Sequence, residues 1–221
     1  TTVVVNTPPT ATAANNGPVC SGSPLNLTGG PAGMATYAWT GPASFTSSLQ
    51  SPVVSMASTT AMSGIYTLTV TDNNGCRSSA TTTAVVIQSP VATAVNNGPV
   101  CAGTQLTLTG GPAGMTTYSW TGPNSFTSSL RSPVVSPAAT LEMSGIYTLT
   151  VTNNMGCSDT ATTRVNVFEV PVSNAGTGGT ECDLNFVLNA TPSVGTGLWT
   201  VVTGPGAAVF IPDPNTPTAT V

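Results

Sequence analysis

Cys20, Cys101 and Cys182 recur at one constant interval, 81 apart in turn, and the pairs Trp39/Trp120 and Cys76/Cys157 share it. When residues 15–91 are laid on residues 96–172, 54 of 77 positions are identical. A fixed period of this size means tandem copies of one supersecondary unit, each stacked only on its neighbours. Chains built this way span distance or present surface, and seldom carry one catalytic centre. A unit this short buries only a modest core, so cross-links or neighbour contacts add stability that the core alone does not supply.

Composition narrows the function classes. Among 221 residues there is no histidine, and the three cations are Arg77, Arg131 and Arg164, so lysine is absent too. The commonest general base and metal ligand is missing, and so is any Schiff-base amine. The net charge is −4, the arginines are scattered, and the basic patch that nucleic acid requires is absent. No apolar run reaches membrane-spanning length. The acidic residues Asp72, Glu142, Asp159, Glu169, Glu181, Asp183 and Asp213 form no calcium-type cluster, and no unit offers four metal ligands. The chain is therefore expected to need no cofactor and to catalyse nothing.

β-Branched residues alternate with polar ones between Gly/Pro turns, which predicts an all-β fold. In the second copy, Val91–Val95 reads as a first strand and Asn96-Asn97-Gly98-Pro99 as a turn. Gln105–Thr109 alternates, with Leu106 and Leu108 on one face, and Gly110–Gly114 breaks it. Thr117–Thr121 is the next strand. Pro133–Ser136 suits an edge, where proline is tolerated. Ser144–Val151 is the strongest strand, Asn153–Gly156 turns the chain, and Ala161–Phe168 returns. About seven short strands at this spacing predict a two-sheet sandwich.

Ser63-Gly64-Ile65-Tyr66 and Ser144-Gly145-Ile146-Tyr147 resemble the turn and tyrosine corner that open strand F of immunoglobulin-like domains. The fuller pattern runs Val-Cys-x-Gly, Leu-x-Leu-Thr, Tyr-x-Trp-x-Gly-Pro, then Ser-Gly-Ile-Tyr-Thr-Leu-Thr-Val-Thr and Gly-Cys. It resembles the immunoglobulin-like and PKD-like repeats of large secreted surface proteins in Bacteroidota, commonly adhesins or type IX secretion cargo. The resemblance covers residues 15–172 and weakens beyond Cys182. It implies tandem immunoglobulin-like sandwiches in a linear array. The units would be the last strand of a preceding repeat (1–8), repeat 1 (9–89), repeat 2 (90–170) and a diverged, incomplete repeat 3 (171–221). It also implies that Trp39 and Trp120 lie in the core with Tyr66, Leu68, Tyr147 and Leu149. Leu68 and Leu149 stand where the usual strand-F cysteine would be.

Cys20–Cys76 and Cys101–Cys157 are equally separated in sequence, so one disulfide per repeat is the simplest pairing, in an oxidising compartment. In a regular sandwich those positions lie at opposite ends, roughly 20 Å apart for six-residue strands. A disulfide accepts only about 7 Å between Cα atoms. That pairing therefore requires an irregular first strand. A bridge from Cys20 to Cys157 of the next unit, or free thiols, are the alternatives.

Thr160, in Asp159-Thr160-Ala161, matches an O-glycosylation pattern of Bacteroidota, and Asn26 and Asn189 head N-glycosylation sequons. Trp39, Trp120 and Trp199 would stack on sugars if exposed, but core packing suits a strand-C tryptophan better. The segment Thr1, Thr2, Val3, Val4, Val5 aligns with the last strand at 82–86, and nothing after Val221 matches strands F and G. Two explanations are open: a window on a longer array, or a third unit completed by another chain's strand.

The expected role is structural: a stalk or filament segment of an extracellular bacterial surface protein. Its first partner would be itself, through neighbouring repeats or subunits in a fibre, with host or glycan surface as a further possibility and neither nucleic acid nor membrane insertion. The alternative is a ligand- or glycan-binding adhesin module. An accessory spacer of an enzyme is a third class.

Overall fold

The computed structural model describes residues 5–176 together with 188, 190, 191, 196–200 and 215. Within 12–168 the chain forms two sandwiches of the same strand order. The first contains β1 (Thr12–Asn15), β2 (Val19–Cys20), β3 (Leu25–Gly30), β4 (Thr36–Gly41) and β5 (Phe45–Ser47). It is completed by β6 (Val53–Ser55), β7 (Gly64–Thr71), β8 (Arg77–Ala84) and β9 (Val86–Ile87). One sheet has the order β1-β3-β6 and the other β5-β4-β7-β8, and β2 pairs with β9. The second repeats it with β10 (Thr93–Asn96), β11 (Val100–Cys101), β12 (Leu106–Gly111), β13 (Thr117–Gly122) and β14 (Phe126–Ser128). Then follow β15 (Val134–Ser136), β16 (Gly145–Thr152), β17 (Ser158–Val165) and β18 (Val167–Phe168). This is an all-β, immunoglobulin-like sandwich.

Alternation explains the layers. Along β7 and β16 every second side chain is buried (Tyr66, Leu68, Val70; Tyr147, Leu149, Val151), while the threonines between them point outward. Facing them are Leu25 and Leu27, or Leu106 and Leu108, with Trp39 or Trp120 filling the middle. Each of these side chains is at most 1% exposed. Tyr66 donates its hydroxyl to the Met62 carbonyl at 2.8 Å, and Tyr147 to the Met143 carbonyl at 3.0 Å. That is the backbone-directed bond of a tyrosine corner, four residues upstream. Phe45 and Phe126 stand edge-on to these tyrosines at 5.6 Å between ring centroids.

The strands differ from the sequence-based expectation in two places. β12 runs through Gly110 and Gly111 instead of stopping before them. Those glycines let the backbone approach its neighbours: a Cβ on Gly110 would sit 2.7 Å from Leu149 Cδ2, and one on Gly111 would collide with the Thr93 hydroxyl. Each sandwich also has nine strand segments, because its first and last strands are each divided. The motif serine governs the second division. Val86 N donates to Ser63 Oγ at 2.8 Å, and Val167 N to Ser144 Oγ at 2.9 Å, so the last segment is held against the turn before β7 or β16.

Candidate functional site

The features that set this chain apart gather where the first sandwich meets the second. They begin with the broken first strand. Asn15 pairs in β1 with β3, while its side chain reaches the other sheet, donating to Thr82 Oγ1 at 2.7 Å and Thr83 O at 3.0 Å. Asn16 stays with β3: its Oδ1 accepts from Asn26 N at 2.8 Å and its Nδ2 donates to Pro24 O at 3.1 Å. The two asparagines thus take over from the backbone ladder while the chain crosses between sheets. Beyond the crossing, β2 lies parallel to β9, with Val19 opposite Val86 and Cys20 opposite Ile87. Because first and last strands run parallel, the chain enters the unit at one end and leaves at the other. Cys20 is therefore carried to the exit.

Cys157 is set at the entry end of the second sandwich, in the turn between β16 and β17. Asn153 builds that turn. Its Oδ1 accepts from Met155 N and Cys157 N, both at 3.0 Å, and its backbone N donates to Cys157 O at 2.9 Å. Gly156, with φ of 84°, supplies the left-handed residue. Cys157 is completely buried and forms a disulfide with Cys20, 5.6 Å between Cα atoms and 137 residues apart in sequence.

The linker is held from both sides. Ser89 N donates to Ser21 Oγ at 2.9 Å and Ser89 Oγ to Ser21 O at 3.0 Å, fixing it to the first unit. Asn153 Nδ2 donates to Gln88 O at 3.2 Å across the junction, and Ala92 N donates to Asp159 Oδ2 at 2.8 Å. Disulfide, amide and carboxylate together leave few free rotations between the units.

This overturns the pairing within each repeat. Cys20 is not joined to Cys76, nor Cys101 to Cys157; Cys76 and Cys101 are free thiols. The physical reason is the one that weighs against the simpler pairing in sequence. Cys76 precedes the eight-residue β8 and Cys20 lies beside β9 beyond its far end, a separation of roughly 26 Å at 3.3 Å per residue. The first strand is irregular, but its irregularity moves Cys20 toward the exit, away from Cys76. Asn153 is read from sequence only as a turn residue and Asp159 only as an isolated acid; their junction contacts, and those of Ser21 and Ser89, are not. Their signal lay in positions where the copies differ: Ser21, Ser89, Asn153 and Asp159 stand opposite Ala102, Val170, Asp72 and Ser78.

Of the other candidates, Thr160 is exposed on β17, and Asn26 is exposed with its backbone amide tied to Asn16. Trp39 and Trp120 are 1% and 0% exposed and offer no face to a sugar. Trp199, with Asn174, Ala190 and Leu198, lines a pocket near Ser173. Thr1–Val4, Cys182 and Asn189 lie outside the described residues; Val5 is 87% exposed and in no strand. Among the described residues no group of three His, Cys, Asp or Glu could hold a metal. No helix among them is long and apolar enough to cross a membrane.

No family model matches the chain. No curated protein matches it either. Solved structures do. Murine CEACAM1b is 16% identical, with a TM-score of 0.37, over 72% of this chain and 100% of that one. The mouse coronavirus receptor-binding domain complexed with its murine receptor gives 17%, 0.38, 71% and 96% in the same order. The N-terminal four Ig domains of Dscam1 isoform 6.9 give 17%, 0.29, 67% and 42%. At these scores the likenesses carry no functional argument; the strand order and the tyrosine corner define the sandwich.

Proposed function

We propose that the chain is a load-bearing spacer: a stalk or filament segment of an extracellular bacterial surface protein, made of immunoglobulin-like units placed end to end. The observation that carries this reading is the Cys20–Cys157 disulfide, which joins consecutive units instead of closing one. A binding module has no need to lock its neighbour, whereas a spacer that transmits tension or holds a direction does. Entry and exit at opposite ends make tandem units extend, and the tied linker limits bending. A disulfide also fits an oxidising, extracellular setting. The bacterial surface origin is supported by the resemblance of the Val-Cys-x-Gly to Gly-Cys pattern to Bacteroidota repeats.

Single-molecule stretching tests the reading. With the bridge intact, the 137-residue span cannot be drawn out, and reduction should release roughly 450 Å of additional contour at 3.3 Å per residue. Equal extension with and without reductant would show that the bridge bears no load.

A second reading, a glycan-binding module, rests on the pocket that Trp199 lines together with Asn174 and Asn215. A glycan array read with wild type and Trp199→Ala tests it: signals lost in the variant support a lectin, and an array without signals removes the reading.

A further inference from the structure

Two hydrophobic cores lie on either side of the junction, and neither reaches across it. The first is built from residues of the first sandwich alone, from Leu25 and Trp39 to Ala84 and Val86. The second uses residues of the second sandwich alone, from Leu106 and Trp120 to Val165 and Val167. Apolar side chains at the joint are left uncovered: Val91 in the linker is 72% exposed, and Met155 in the Cys157 turn 57%. Units without a sizeable apolar interface move against each other by default. The direction of the second unit therefore rests on the links that span the linker.

Ser89 is fastened to Ser21 of the first unit by its amide and its hydroxyl, and Ala92 to Asp159 of the second by its amide. Pro90 and Val91 stand between these two anchors. The Pro90 ring fixes its φ, which leaves Pro90 ψ and the two Val91 dihedrals as the soft rotations. Among the described residues, two links span this pivot. One is the exposed hydrogen bond from Asn153 Nδ2 to Gln88 O, 3.2 Å long. Between neutral groups in water such a bond is too weak to hold two domains in one direction. The other is the Cys20–Cys157 disulfide, which is covalent and has one partner completely buried.

We infer that Pro90–Val91 is a hinge whose freedom is set by the redox state of Cys20–Cys157. Bridged, the two sandwiches point one way as a single body; reduced, they swivel while each stays folded on its own core. The inference rests on the spacer reading and adds a control over the spacer's stiffness. The chemistry is thiol–disulfide exchange with a dithiol such as dithiothreitol. Cys157 is buried and Cys20 half-buried, so the attacking thiolate reaches Cys20 Sγ. A mixed disulfide forms at Cys20, and Cys157 leaves as a thiolate that takes up a proton. The second thiolate of the same dithiol then attacks its own sulfur in the mixed disulfide, closes a cyclic disulfide and releases Cys20, which is protonated in turn. One dithiol is oxidised, and one protein disulfide is reduced to two thiols.

The test measures residual dipolar couplings of backbone amides in the weakly aligned 221-residue chain, before and after dithiothreitol. Before reduction, the couplings of 12–87 and 93–168 should fit one alignment tensor. After reduction they should need two, while the amide shifts of β7 and β16 stay in place. Removing the dithiol and adding oxidised glutathione should restore the single tensor. Cys20→Ser should give two tensors without any reductant, and Asn153→Ala in the bridged chain should keep one. A single tensor in the reduced chain and in Cys20→Ser would overturn the hinge and leave the spacer reading standing. So would loss of the core shifts on reduction, which would make the bridge a prop of the fold. Two tensors in bridged Asn153→Ala would give the direction to the hydrogen bond and overturn the inference as well. Two tensors in the bridged wild type would overturn the hinge and the spacer reading together.

Discussion

The exit faces of the two sandwiches are nearly the same backbone carrying different contacts. Around Cys20, Ser21 N donates to Ile87 O at 2.7 Å and Gly22 N to Ser58 O at 2.8 Å; around Cys101, Ala102 N donates to Phe168 O at 2.7 Å and Gly103 N to Ala139 O at 2.8 Å. The thiol is therefore aimed by the repeat itself. The polar ties are local: the Ser21–Ser89 pair becomes Ala102 and Val170, and Ile87 becomes Phe168, which is 57% exposed. The comparison separates two layers of design. Thiol and cradle are common to the two described sandwiches, while the hydrogen bonds that trim the junction belong to that junction alone.

The largest expected difference between the two faces comes from their cysteines. Cys157→Ser should lower global stability by up to about 5 kcal/mol on the loop-entropy model for a span this long. Cys101→Ser, which breaks no bond, should leave the denaturation midpoint unchanged. Equal effects in chemical denaturation would mean that the bridge adds nothing beyond its exposed counterpart.

The cores sharpen the comparison next. Trp39 Nε1 donates to Gln50 O at 3.2 Å, but the buried Trp120 Nε1 has no partner. The difference accompanies Gln50 versus Arg131, each of which donates to the glycine carbonyl at the opposite strand, Gly29 or Gly110, at 2.8 Å. Trp→Ala at either site should cost roughly 3–5 kcal/mol. Trp39→Phe should cost about 1 kcal/mol more than Trp120→Phe, since only the former removes a made bond and leaves a carbonyl short of a donor. Matching denaturant midpoints for the two Phe variants would mean that the two indoles are bonded alike.

Smaller again is the local tie. Ser21→Ala, which copies the Ala102 face onto the Cys20 face, should cost about 1 kcal/mol and speed hydrogen exchange at Ser89 N. Unchanged exchange there would show that the hydroxyl does not hold the linker.

The smallest and most symmetrical effect is alkaline. Burial raises the phenol pKa of both Tyr66 and Tyr147 above the ordinary 10.0. Below pH 10 both states keep the proton. As pH climbs past 10 the unfolded chain gives it up first, so the stabilisation is lost progressively through the folded-state pKa. Thermal melts should fall above pH 10 in both units, and Tyr66→Phe with Tyr147→Phe should flatten that slope. A slope untouched by the pair would assign it to other groups.

Much of the sandwich was legible because strand burial has a period of two: Thr67-Leu68-Thr69-Val70 declares its faces without help. The tyrosine corner was legible because its turn and its ring are local in sequence. Of the junction, only the bridge from Cys20 to Cys157 was among the alternatives the cysteine spacing left open; its polar ties were not legible. Asn15 and Asn16 look like turn residues, and only three dimensions reveal that they hold opposite sheets. The expected bridge within a repeat rested on even spacing, whereas strand length decides which end of a sandwich a cysteine reaches.

The central claim is that the regular spacing of cysteines joins units and does not close them. Peptide mapping of the non-reduced protein by mass spectrometry tests it most directly. The account predicts one linked pair containing Cys20 and Cys157, with Cys76 and Cys101 not bonded to either. Recovery of Cys20 linked to Cys76 and Cys101 linked to Cys157 would contradict it.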